Sequence, residues 1–325
     1  MTPAGAMRVL VTGARGFVGG HLGASVARHC GEDAKLVLTS REAGEGVEAL
    51  DVTDPAAITD ALDRHAPPHV LNLAGVAAPA DAGRDPDTAW LVHCDGVRRL
   101  ADAILATAPD TVLVNAGTGL VYGGAFAAGT PVDEAHRIDP QDAYGASKGA
   151  GDLALGAAAA RGLRCVRMRA FNHSGPGQGE DFVIPAFAAQ IARIEAGAAA
   201  PILHVGDLSA ARDFLDVRDV CDAYALALVH GSGLEPGTIL NVASGVGRRI
   251  GDVLDGLLAL SEAEMRVATD PDRVRPSGLP VAVGDAGRAR QLLGWEPRIP
   301  FEQTLADVLN DWRARVGDAR RGGPA

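Results

Sequence analysis

Hydrophobic positions along this chain form short unbroken runs, separated by stretches where they recur at helical spacing. The first run, Arg8 to Thr12, ends in a glycine-rich turn and reads as a buried strand. His21 to His29 reads as a helix and Lys35 to Thr39 as a second strand. Pro55 to His65 predicts a helix with Asp54 as N-cap and Pro55 at its first position. His69 to Leu73 is a further strand, Thr88 to Ala108 a long amphipathic helix, and Thr111 to Asn115 the strand after it. Tyr144 to Arg161 predicts a helix and Arg164 to Met168 a strand.

Short apolar strands alternating with helices imply parallel pairing. The expected fold class is α/β, a Rossmann-type doubly wound parallel sheet with a smaller C-terminal α/β substrate domain. The rhythm breaks after Ala170. Helices follow near Pro185 to Ala196, Asp219 to Val229, Ile250 to Leu260 and Phe301 to Ala314, and Ile239 to Ala243 reads as a strand returning to the first sheet. The expected division is a cofactor domain over 1–170 with a returning segment 216–245, and a substrate domain over 171–215 and 246–325. The polar, Gly-rich tail from Arg315 to Ala325 is expected to fray.

The turn after the first strand reads Gly13-Ala-Arg-Gly16-Phe17-Val18-Gly19. Gly13 permits a sharp turn, Gly16 lets backbone approach a pyrophosphate, and Gly19 allows close helix–strand packing. The spacing G-x-x-G-x-x-G differs from the general dinucleotide fingerprint, so its place between a strand and a helix carries the reading. Phe17, Val18 and Ala74 complete the expected cofactor cradle. The second strand ends in Ser40 and Arg41, where an acid would select NAD through the ribose 2′-hydroxyl. Ser40 and Arg41 suit a 2′-phosphate, which favours NADP(H) over NAD. Asp51 and Val52 are placed to contact the adenine.

Tyr144 and Lys148 sit four residues apart and share one helical face. The lysine ammonium, with an oxidised nicotinamide, is expected to lower the phenol pKa, so that Tyr144 can exchange a proton with a carbinol or carbonyl oxygen. Thr118, at a predicted strand end, can bind the same oxygen. Tyr122 reads as a packing residue.

The chain has 325 residues, 47% hydrophobic and 22% charged, with a net charge of −11. A global basic field for nucleic acid is absent, so an anionic substrate needs a local basic site. Four dispersed cysteines without a C-x-x-C pair read as reduced thiols, and the nine histidines show no metal-binding spacing. The N-terminus lacks the marks of a signal peptide, and no run reaches the roughly 18 apolar residues of a membrane span. These features predict a cytoplasmic protein with no metal, nucleic-acid or membrane partner.

With these motifs go Arg169 to Gln178, Phe182 to Phe187, Ala211 to Asp219, Arg275 to Pro280 and Gly294 to Pro297. Over roughly Arg8 to Arg313 the chain resembles the extended short-chain dehydrogenases that modify nucleotide sugars. Within them it is similar to the GDP-4-dehydro-6-deoxy-D-mannose reductases and their relatives the GDP-mannose 4,6-dehydratases. The resemblance implies that Asn172 contacts the substrate diphosphate, that Arg212 and Arg275 serve the diphosphate and nucleotide ribose, and that residues around Val183 line the base pocket. It also implies a homodimer formed through the helices Thr88 to Ala108 and Tyr144 to Arg161.

Three positions depart from that pattern. Gly119 and Leu120 follow Thr118 where 4,6-dehydratases need an acid, so dehydration is not expected. Gly278 replaces an acid that can bind the nucleotide ribose, which leaves the nucleotide open. His93-Cys-Asp-Gly96 replaces the usual Asn-x-x-Gly. The leading expectation is an NADPH-dependent 4-ketoreductase of a GDP-type 4-keto-6-deoxy sugar. The rival is a nucleotide-sugar 4-epimerase with tightly bound NAD(P), and the rival from another class is a non-catalytic NADP(H)-binding sensor or scaffold.

Overall fold

The computed structural model describes residues 7–271 and 279–321. Arg275 and Gly278 lie outside the described residues.

The first part of the chain runs β1 (Arg8–Thr12), α1 (Phe17–Cys30), β2 (Lys35–Ser40), β3 (Glu48–Ala49), α2 (Pro55–His65) and β4 (His69–Asn72). It continues through α3 (Pro79–Arg84), α4 (Pro86–Trp90), a π turn over Leu91–Gly96, α5 (Val97–Thr107) and β5 (Val112–Thr118). A 3-10 segment over Gly119–Ala128 then leads to α6 (Ala143–Ala160) and β6 (Cys165–Ala170).

These strands enter a seven-stranded sheet, completed by a later strand β10 (Thr238–Val242), in the order β10-β6-β5-β4-β1-β2-β3. Every neighbouring pair is parallel. Alternation explains the unbroken apolar runs. In β1, Val9 and Val11 enter the core under α1, while Leu10 enters the core under α2 and α5. Both faces are covered, so no position in such a strand can be polar without a partner. The doubly wound fold is as expected, and Ile239 to Ala243 does return to the sheet, shifted by one residue.

The remainder builds a second layer system. It holds β7 (Asn172–Ser174), α7 (Val183–Glu195), β8 (Ile202–Val205), β9 (Ala211–Asp216), α8 (Val217–His230), β11 (Gly247–Arg249), α9 (Ile250–Leu258), β12 (Arg266–Thr269), β13 (Val281–Ala282), α10 (Gly287–Leu293) and α11 (Phe301–Arg321). Strand β9 is the hub, parallel to β7 and β13 and antiparallel to β11. Helices α7, α9 and α11 close a separate apolar core around Phe187, Leu254, Leu309 and Trp312. Helix α8 instead packs on α1 under the large sheet, and Asp219 on it accepts the backbone amides of Arg298 and Ile299 at 3.1 Å each.

Several boundaries differ from expectation for physical reasons. Helix α1 begins at Phe17 rather than His21, directly after the turn, with Gly16 as an N-cap that offers no side chain. Strand β5 runs on to Thr118 because it stays paired to β6 through Ala170. The expected helix Thr88 to Ala108 is interrupted by the π turn, which adds a residue to one turn and advances the phase of α5. The expected fraying tail is helical through Arg321, extended by the Arg315–Asp311 ion pair at 2.8 Å.

Candidate functional site

In an open parallel sheet, ligands bind beyond the carboxyl ends of the strands where strand order reverses. Here the chain passes from β1 outward to β2 and β3, then returns to the other side of β1 with β4. A cavity of about 860 Å³ opens at that reversal. A chain of buried side chains ties the three central strands beneath it, from the last residues of β1 and β4 to the middle of β5. Thr12 Oγ1 donates to Asn72 Oδ1 at 2.5 Å, and Asn72 Nδ2 donates to Asn115 Oδ1 at 2.7 Å. The sequence reading missed this chain. Its signal is a polar residue closing an otherwise apolar run, seen at each of these strands.

The glycine turn is shaped by close backbone contact. Gly13 has φ +68°, and a Cβ there would lie 2.7 Å from the Ala74 nitrogen. A Cβ on Gly19 would lie 2.2 Å from the Ala14 carbonyl oxygen, so Gly19 packs against the turn itself rather than the strand. The first turn of α1 carries no side-chain cap and no acid. Its free amides are therefore available to an anion, and Gly13, Gly16, Phe17, Val18 and Ala74 all line the cavity.

One end of the cavity is lined by Ser40, Arg41, Asp51 and Val52, the residues that the sequence assigns to the adenosine. Arg41 is largely exposed and only loosely paired with Glu42 at 3.9 Å. Arg15 also lines this end, its guanidinium beside Gly44, and was not anticipated as a ligand group. The Asp51 carboxylate accepts from the Thr53 hydroxyl at 2.7 Å and amide at 2.8 Å, which holds its pKa below the usual carboxylate range.

Thr118, Tyr144 and Lys148 converge in the middle of the cavity. Asp142 caps α6 by accepting the Gly145 amide at 2.6 Å, which fixes the turn that carries Tyr144. Lys148 donates from Nζ to the Ala116 carbonyl at 3.2 Å. Burial pushes the Tyr144 phenol up to about 12, against the pull of the Thr118 hydroxyl, and pushes Lys148 down to about 8. The expected lowering of the phenol does not occur in the bare protein. Desolvation outweighs the Thr118 hydrogen bond, and the charge of Asp142 adds to the rise. Tyr122 is fully buried and donates to Asn241 Oδ1 at 2.7 Å beneath the Arg169 guanidinium, a packing role as expected.

At the far end Asn172, His173, Phe182, Val183 and Phe214 line the cavity. His173 stacks on Phe17 at 6.1 Å and bonds through Nδ1 to the Phe171 carbonyl at 3.0 Å. Arg212 does not line the cavity. Its Nη1 donates to the Ala211 carbonyl at 2.8 Å, although it shares a face of β9 with Phe214, which does line it. Among the described residues no cluster of metal-ligating side chains occurs, and no helix is long and apolar enough to cross a membrane.

Residues 9–243 match the model of the NAD-dependent epimerase/dehydratase family. The chain belongs to that family. It is therefore an NAD(P)-dependent oxidoreductase or epimerase. A GDP-6-deoxy-D-mannose reductase of Pseudomonas aeruginosa is 35% identical over 310 residues, 95% of this chain and 98% of its own. A structure of RMD from Pseudomonas aeruginosa complexed with NADPH superposes with a TM-score of 0.83 at 34% identity, covering 95% of this chain and 98% of the other. The UDP-glucose 4-epimerase of Thermus thermophilus complexed with NAD superposes with a TM-score of 0.79 at 27% identity, covering 94% and 99%.

Beside Lys148 lies His93, a buried imidazole whose pKa burial and the Lys148 charge push down to about 3. The folded state thus keeps it neutral where the unfolded chain protonates it, below about pH 6.5. Its contribution to stability is full above that pH and falls as the pH drops, by about 2 kcal/mol at pH 5. His93→Asn removes this titration. Urea unfolding at pH 8 and pH 5 should show the stability gap between wild type and variant shrinking by about that amount. Parallel curves at both pH values would refute it.

Proposed function

We propose that this protein is an NADPH-dependent 4-ketoreductase acting on a nucleotide-activated 4-keto-6-deoxy sugar of the GDP type. The observation that carries the reading is the convergence of Thr118, Tyr144 and Lys148 in one cavity, with Leu120 lining it where a dehydratase needs an acid. The reductase of Pseudomonas aeruginosa at 35% identity supports the substrate class.

The bound nicotinamide supplies the hydride. The chain's own residues handle the oxygen. Thr118 and Tyr144, hydrogen-bonded to each other, would share a C4 carbonyl oxygen, and a phenol held protonated can donate its proton as charge builds there. Lys148 orients the nicotinamide ribose and places its positive charge beside the phenol. With neither Gly119 nor Leu120 able to move a proton, chemistry at C5 and C6 has no catalyst on this side of the cavity. Tyr144→Phe should lower turnover by a hundredfold or more (roughly the contribution of general acid catalysis) while leaving NADPH binding intact. Following NADPH absorbance with a 4-keto sugar nucleotide tests this, and no oxidation with any such nucleotide would sink the reading.

NADPH preference is supported by Ser40, Arg41 and Arg15 at the adenosine end. Arg41→Ala should raise the NADPH KM about tenfold and leave the NADH KM unchanged. An equal effect on both cofactors would count against a 2′-phosphate contact. The epimerase reading is supported by the likeness to UDP-glucose 4-epimerases, among them the NAD-bound structure at 27% identity. It requires cofactor that stays bound and turnover that consumes none.

A homodimer is supported by the exposed apolar side chains of Trp90, Leu91 and Leu153, on the two helical segments expected to pair. Light scattering should give twice the chain mass for wild type and the single-chain mass for Leu153→Asp. A wild-type monomer at micromolar concentration would end the proposal.

A further inference from the structure

His93 stands where the family resemblance leads to an asparagine, and the reaction just described gives it no part. It sits in the π turn at Leu91–Gly96 and is 1% exposed. The turn thrusts its backbone against α6, where a Cβ on Gly151 would fall 2.1 Å from the His93 carbonyl oxygen. That contact directs the imidazole between two parts of the cavity wall.

Nε2 faces two groups of Val76, the amide at 2.9 Å and the carbonyl oxygen at 3.2 Å. The amide can only donate, and this shorter bond forms when Nε2 accepts. The ring proton is then on Nδ1, which donates to Ser147 Oγ at 2.9 Å. Ser147 Oγ in turn donates to the Tyr144 carbonyl oxygen at 3.1 Å. Every donor in this chain has an acceptor. The imidazole also meets the Tyr144 ring edge-on, with centroids 5.5 Å apart at 88°. On the other side, a Cβ on Gly75 would lie 3.0 Å from Lys148 Nζ and 3.2 Å from His93 Nε2, so turn, lysine and imidazole crowd one point.

We propose that His93 is a positioning residue with two separable tasks: Nε2 holds the Gly75–Val76 turn against the cofactor side of the cavity, and Nδ1, through Ser147, holds the Tyr144 turn of α6 in place for proton transfer. The second task rests on the reductase reading, while the first does not. An asparagine amide reaches the position of Nδ1 but not that of Nε2, and a glutamine amide the reverse. Histidine spans both from one ring.

This geometry sets the experiment. His93→Asn, His93→Gln and Ser147→Ala are compared with wild type by NADPH fluorescence titration and by single-turnover hydride transfer to a 4-keto sugar nucleotide at saturating NADPH. Circular dichroism first checks that each variant is folded. His93→Asn should weaken NADPH binding about tenfold and leave the transfer rate within about threefold. His93→Gln and Ser147→Ala should slow transfer about tenfold and leave NADPH binding unchanged. Should His93→Gln not fold, Ser147→Ala carries the second arm alone. The same loss in both readouts for all variants, or a drop in melting temperature with neither readout changed, overturns the proposal in favour of plain packing. If wild type reduces no 4-keto sugar nucleotide, the reductase reading fails. The binding titration still judges the first task, and unaltered NADPH affinity in His93→Asn overturns it.

Discussion

The site depends on one close approach, backbone against backbone, where the end of β1 meets the end of β4. At Gly13 there is no room for a side chain, because the Ala74 nitrogen is 2.7 Å from where a Cβ would be. This contact turns the chain into α1 at Gly16, with its first amides uncapped and open to the cavity. The buried chain Thr12–Asn72–Asn115 holds the strand ends in register below that point. The uncapped turn of α1, the Tyr144–Lys148 pair and Asn172 then lie along one crevice.

Helix α6 carries the chemistry along a single stripe. Tyr144, Lys148 and Asp152 follow at four-residue intervals, so they share one face. Asp152 is almost wholly buried and takes the Arg169 guanidinium at 2.9 and 3.1 Å, and Arg167 at 3.1 Å. A buried carboxylate between two guanidinium groups admits little rotation or sliding of the helix relative to β6. The geometry of Tyr144 and Lys148 is thereby set from behind, by groups that touch neither cofactor nor substrate. The π turn sets it from the side, through His93.

Electrostatics divide the cavity into zones in an acidic protein. Arg15 and Arg41 line the end beyond β2. The middle is lined by Leu120 and Val76 around Thr118 and Tyr144, which raises the cost of bare charge and keeps the phenol protonated. Substrate discrimination in such a region depends on what the wall cannot do as much as on what it can. At Leu120 the wall has no carboxylate with which to move a proton.

Much of this was legible from residue order alone. Local spacing determined the α/β alternation, the glycine turn, the Tyr144–Lys148 pair, Thr118 and the Ser40–Arg41 end of β2, because each depends on a period or a turn that neighbours in sequence define. Contacts between distant segments were not legible. Arg15 became a cavity group only once β2 and the Gly44 turn closed beside it. Arg212, which family resemblance assigns to the substrate, bonds the carbonyl of Ala211, a contact that its place in β9 sets and that residue order does not show. Burial raises the Tyr144 phenol in the protein without cofactor, a shift that belongs to the folded surroundings and not to the residue. The helix predicted as one piece is continuous but carries a π turn whose His93 bonds Val76 and Ser147, at sequence distances of 17 and 54. Sequence alone determined which chemical groups this protein possesses and the elements that carry them. Tertiary packing decided which groups face one another and how much water each one keeps, because distance and burial arise only when the strands close into a sheet.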